Sequence, residues 1–246
     1  MMLQSKAEVE IVNDLIRETT DIPAAESLFK LPEIPQAQNY EGMKGYVDTF
    51  GDILESILDT LKDILGFYGR DFSSDIPTDE YIEKVSDVIK EVFTPEIIGE
   101  WPDMSMEQRA GLLNEYARRI GEAQGINIKG IMATDLYAWL GEGTKGMNDG
   151  NGILYLDYRD VQNPEMLGDI LNTTTHEARH QLQSEAVENP GKFNIPLEII
   201  QKWEKNMATY IDPEYDYEGY YYQPIEVDAR NAAAIVLQNL RNSLNA

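Results

Sequence analysis

The chain has 246 residues, 44 acidic against 20 basic side chains, and a formal net charge of −24. Such a surface repels phosphate backbones and anionic bilayers, so neither nucleic acid nor a membrane surface is an expected partner. There is no cysteine and there are only two histidines, which removes disulfide scaffolds and thiolate metal sites from consideration.

In chain order, apolar periodicity predicts helices over 1–20, 40–66, 79–93 and 105–123. Between the first two, residues 21–38 contain three prolines and read as a loop. The opening Met1-Met2 and the polar helix after it offer no secretion-signal apolar region, and no apolar run reaches membrane-spanning length. The location is left unknown by these features, a soluble chain being equally suited to the cytoplasm or to export without a cleavable signal. Ser105-Met106-Glu107-Gln108 has the form of a capping box ahead of Leu112, Leu113, Tyr116, Ala117 and Ile120. A short strand is predicted over Ile126 to Met132, and a second over Gly152 to Tyr158, preceded by a glycine-rich run from Gly141 to Gly152. Asn148-Asp149-Gly150-Asn151 has the look of a calcium loop, but the later ligands such a loop needs are missing.

The next helix carries the chemistry. Asn163-Pro164-Glu165 reads as a cap, a proline at the first helical position and an acid in the first turn, and Asn189-Pro190-Gly191 closes the segment. Leu167, Leu171, Thr174, Ala178 and Leu182 form one mostly apolar stripe. On a different face stand both histidines of the chain, in the sequence His176-Glu177-Ala178-Arg179-His180. Residues four apart on a helix lie nearly above one another, so both imidazoles can reach one metal ion. Glu177, rotated by about 100° from His176, can flank that ion and take a proton from a water that it activates. This is the H-E-x-x-H arrangement of zinc hydrolases.

Catalytic zinc usually has three protein ligands, and without cysteine or another histidine the third must be a carboxylate. The best candidate is Glu226, in the first turn of a helix that Pro224 can start. Asp228 is the rival, although at i+2 it faces away from Glu226 and better suits a supporting contact to a ligand.

Two motifs now stand in order, H-E-x-R-H-x-x-Q from His176 to Gln183 and Y-x-P-x-E-x-D-A from Tyr222 to Ala229. Together they resemble the zincin metallopeptidases, most of all the gluzincin type, and more narrowly zincin-like domains of bacteria and their phages. The resemblance spans roughly residues 105–243. It implies His176 and His180 as zinc ligands, Glu177 as general base and Glu226 as third ligand. It also implies an α+β fold, mainly helical with a small mixed sheet and an active-site helix. Residues 1–104 would form a helical N-terminal part and 105–246 the catalytic part, or the two would make one compact unit. In zincins the strand before the active-site helix is often an edge that takes extended peptide. The resemblance implies that role for 152–158, with a buried strand as the alternative. Many gluzincins carry an acid four residues after the ligand glutamate. Here that residue is Arg230, so orienting a ligand histidine would fall to Asp228 or Asp169.

A tyrosine cluster, Tyr215, Tyr217, Tyr220, Tyr221 and Tyr222, precedes the Glu226 helix. A phenol there can serve an oxyanion or simply pack. Arg179 and Arg230 can bind a substrate carboxylate or pair with local acids. The expected function is zinc-dependent hydrolysis of a peptide or protein substrate. The alternatives are a zincin-fold binding module without catalysis and a toxin-type effector peptidase with one dedicated target.

Overall fold

The computed structural model describes residues 80–244. The helices expected over 1–20 and 40–66 and the loop between them lie outside those residues. Among the described residues the fold is α+β, mainly helical with one three-stranded mixed sheet. No helix there is long and apolar enough to cross a membrane.

Helix α1 (Glu80–Val92) turns Tyr81, Ile82, Val85, Ile89 and Val92 inward at three- and four-residue spacing. A short α2 (Pro95–Glu100), capped by Thr94, leads through a 3-10 turn at Trp101–Asp103. Helix α3 (Met106–Gln124) then opens on the predicted capping box, with Gln108 N–H donating to Ser105 Oγ and Ser105 N–H donating to Gln108 Oε1. Phe93 meets Trp101 and Tyr116 edge-on, and all three are fully buried. The core is continuous from Tyr81 and Trp101 to Leu237 and Leu240, so residues on both sides of position 104 share it.

Strand β1 (Gly130–Thr134) begins four residues later than the sequence suggests. Ile126 is buried, but the Asn127 N–H donates to the Glu185 carboxylate rather than to a strand. After α4 (Leu136–Leu140) come β2 (Gly146–Asn148) and β3 (Ile153–Asp157). The strand order is β1-β3-β2, with β1 parallel and β2 antiparallel to β3. The strand over 152–158 is thus the middle of the sheet and not an edge. Leu154 and Leu156 face the main core, while Tyr155 and Asp157 are buried on the other side beneath α4. There Trp139 packs on Tyr155, and the Leu136 N–H donates to Asp157 Oδ2 at 3.1 Å. A strand buried on both faces belongs at the centre. The two edges are β1, whose Ile131 backbone is hydrogen-bonded by the Asn114 side chain, and β2, inside the glycine-rich run. Gly152 makes the bend before β3 possible: its φ is +98°, and a Cβ there would lie 2.2 Å from the Asn127 carbonyl oxygen.

Helix α5 (Tyr158–Gln162) follows, its last carbonyls bonded by the buried Arg109 guanidinium. Asn163 does act as a cap, but to a 3-10 turn at Pro164–Met166 that feeds the long α6 (Leu167–Glu188). The stripe Leu167, Leu171, Thr174, Ala178 and Leu182 is buried as predicted. Burial extends further round this helix, because α3, α7 (Leu197–Ala208), α9 (Pro224–Leu244), β2 and β3 all pack against it. The tyrosine cluster is partly a short helix of its own, α8 (Tyr217–Tyr222).

Candidate metal centre

Residues His176 and His180 sit one turn apart on α6 with their Nε2 atoms 2.9 Å from each other. Helix α9, begun by Pro224, brings Glu226 across from them in its first turn. Glu226 Oε2 lies 3.3 Å from His176 Nε2, and Glu226 Oε1 lies 3.4 Å from His180 Nε2. For ligand atoms about 2.0–2.1 Å from a tetrahedral zinc, neighbouring ligands stand about 3.3–3.4 Å apart. One ligand atom from each residue falls within a 4.8 Å cluster. Glu226 is buried, and its Oε2 has no hydrogen-bond partner among the described residues. Two nitrogens and a buried carboxylate at such distances need a cation or shared protons between them. The donor set, two imidazoles and one carboxylate, suits zinc.

The charges respond accordingly. Burial pushes Glu226 up, but the facing imidazoles outweigh it and hold its carboxyl well below the usual range. Burial works against a charged His180, yet the Glu226 carboxylate raises it to about 9. Glu177 is buried beside them, and loss of water pushes its carboxyl up although both histidines pull the other way. A buried carboxyl with a raised pKa suits a general base.

Strand β2 fixes the turn of α6 that carries Glu177. The Asn148 Nδ2 donates to the Glu177 main-chain carbonyl at 2.8 Å. At Gly146 a Cβ would lie 2.3 Å from Thr173 Cγ2 and 3.0 Å from Glu177 Oε1. Only a residue without a side chain lets the strand come this close to the carboxylate. The Asp149 carboxylate of the same loop accepts from the N–H groups of Asn151 and Ile153, an arrangement that uses it for the turn.

The surrounding candidates separate cleanly. Asp228 is not beside the histidines: it accepts from Arg179 Nε at 2.8 Å, Arg179 Nη2 at 3.1 Å and Gln183 Nε2 at 2.7 Å. Arg179 is buried, with its guanidinium 4.8 Å from the Tyr81 ring and 5.4 Å from that of Trp203, so it serves the interior and not a substrate. Asp169 pairs with Lys145 at 2.8 Å. Arg230 lies over the Tyr221 ring, donates to the Tyr221 carbonyl and places Nη1 3.8 Å from Glu226 Oε2. Tyr222 is turned outward and 61 % exposed, two positions beyond Tyr220 and therefore on the opposite side of a helical turn.

Two tyrosines do reach the centre. The Tyr210 hydroxyl donates to Glu226 Oε1 at 3.2 Å. Burial and the Glu226 carboxylate push Tyr210 and Tyr220 far up, so both remain protonated donors. Tyr220 belongs to the cluster noted in the sequence, whereas Tyr210 stands before it with no local pattern to mark it. Gln183, part of the motif quoted above, places Oε1 2.8 Å from His180 Nδ1. Its i+3 spacing from His180 was the available signal. The chain matches no family model, no curated protein and no solved structure.

Proposed function

We propose that this chain is a zinc-dependent peptidase of the zincin type, gluzincin-like in its ligands, with a peptide or protein as substrate. The observation that carries the reading is the convergence of His176, His180 and Glu226 from two helices, with the buried Glu177 against them. His176, His180 and Glu226 would hold the ion. Bound there, zinc supplies Lewis acidity that lowers the pKa of water towards ~7 and polarises a carbonyl.

The chain's own groups do the rest. Glu177 accepts a proton from the attacking water and returns it to the leaving amine, the two roles that a carboxyl with a raised pKa can fill in turn. Tyr210 and Tyr220 both serve Glu226, and with Arg230 beside that carboxylate they are the groups from which an oxyanion donor would come. An extended peptide would add to β2. Lys145 and Asp149 bond towards β3 through backbone groups, so by alternation Gly146 and Asn148 turn their N–H and C=O to the free edge. That edge runs beside Glu177, and the 152–158 strand has no part in docking.

The test is the Glu177→Gln variant. Zinc content measured by elemental analysis should match wild type, and hydrolysis of a peptide library should fall about 10²- to 10⁴-fold. Wild-type turnover in that variant would overturn the mechanism. Glu226→Ala should lose zinc, and full zinc content in it would place the third ligand elsewhere.

A further inference from the structure

Every polar atom of the buried Gln183 side chain is engaged. Its Nε2 donates to the Ile225 carbonyl at 3.0 Å and to Asp228 Oδ2 at 2.7 Å, while Oε1 meets His180 Nδ1. A backbone carbonyl and a carboxylate can only accept, so the amide nitrogen must face them and the amide oxygen must face the imidazole. That oxygen can only accept in turn. His180 therefore carries a hydrogen on Nδ1, and once Nε2 gives up its proton to metal the ring presents a lone pair there towards His176 and Glu226. The amide is itself held: Asp228 is gripped through two bonds by Arg179, whose guanidinium lies between the rings of Tyr81 and Trp203.

We infer that Gln183 is a positioning residue that sets the tautomer and ring orientation of His180 for metal ligation, with Asp228 and Arg179 fixing the amide. The inference rests on the metal-centre reading. It accounts for Arg230 standing four residues after Glu226: the acid comes two residues after Glu226 instead, and acts through a glutamine one turn beyond His180. The chemistry differs from a direct carboxylate contact. An anion at Nδ1 would make the imidazole a stronger donor. Here the Asp228 charge is matched by Arg179 and separated from the ring by a neutral amide, so His180 is oriented without added negative charge.

The test uses full-length Gln183→Met, close in volume but without an acceptor. Zinc affinity is measured by chelator competition, alongside the visible spectrum of the cobalt(II)-substituted protein. The expected result is affinity about 10- to 100-fold weaker than wild type and displaced cobalt bands, at an unchanged far-ultraviolet circular dichroism spectrum. Wild-type affinity and bands in this variant overturn the inference. Gln183→Asn, whose amide is one methylene too short to span His180 and Asp228, serves if the methionine variant does not fold. Unchanged affinity there overturns the inference equally. A wild-type protein that binds no zinc counts instead against the metal centre itself, so the two failures are distinguishable.

Discussion

Glu226 meets His176, His180, Tyr210 and Arg230, and its charge sets the proton traffic of the whole centre. Because that carboxylate raises His180 to about 9, the metal-free protein keeps a proton on His180 over the range where a free imidazole has lost it. Zinc must displace this proton. Affinity should therefore rise by at least about tenfold per pH unit from neutrality to pH ~9, with at least one proton released per ion. Calorimetry in buffers of different ionisation enthalpy reads that release, and a pH-independent affinity below pH 8 would contradict it. Gly146→Ala presses a methyl group on Thr173 and Glu177. Turnover should drop about 10- to 100-fold through misplacement of the base, with zinc content unchanged. At this scale the sequence was most legible: two histidines in one motif and a glutamate after a helix-starting proline are local signals, and the structure brings the three side chains together. Arg179 and Arg230 were equivalent on paper, since only the three-dimensional neighbours decide that one is buried on Asp228 and the other borders Glu226.

Helix α6 is where chemistry and packing meet. It buries an apolar stripe, aims two histidines at α9, and sends Arg179 to Asp228 on that same helix. Just before His176, the Tyr81 hydroxyl donates to the Thr175 carbonyl, and Tyr116 is hydrogen-bonded to the Thr175 hydroxyl at 2.8 Å. The turn that carries His176 is thereby tied to α1 and α3. Arg179→Met should destabilise the fold by about 3–5 kcal/mol, because Asp228 would lose its buried cation. Urea denaturation measures this, and a loss below about 1 kcal/mol would show that the pair contributes little. Helices α1, α3, α6 and α9 were readable because period and caps are local properties, whereas α7 went unread. Strand order was not. Nothing in Gly152 to Tyr158 says whether neighbours lie on one side or both, and β2 is three residues in a glycine-rich run with no period to detect. Ile126 to Lys129 has strand-like composition, yet Asn127 is drawn to the Glu185 carboxylate and pairing starts only at Gly130.

At the scale of the molecule, the proposed ligands His176, His180 and Glu226 come from helices that are far apart in sequence, so a metal would bind only when they are packed together. Zinc should then stabilise the native state by linkage, about 2.7 kcal/mol at a free concentration 100 times Kd. For a chain of this size that is roughly 5–10 °C in Tm. Scanning calorimetry with and without chelator should show the shift in wild type and in Glu177→Gln, and little of it in Glu226→Ala. An equal shift in all three would point to zinc bound elsewhere.

The shortness of β2 also limits what the edge can grip. Two outward-facing residues, Gly146 and Asn148, span about 7 Å of strand, enough to engage only a few backbone groups of a guest chain. Main-chain pairing of that length is indifferent to sequence and weak. A peptide cut here would be selected chiefly by the side chains flanking the scissile bond, and a few residues on either side would carry nearly all of the recognition. A series of peptides lengthened stepwise should therefore reach its full kcat/KM after only a few residues, whereas a long main-chain track would keep improving with each one added.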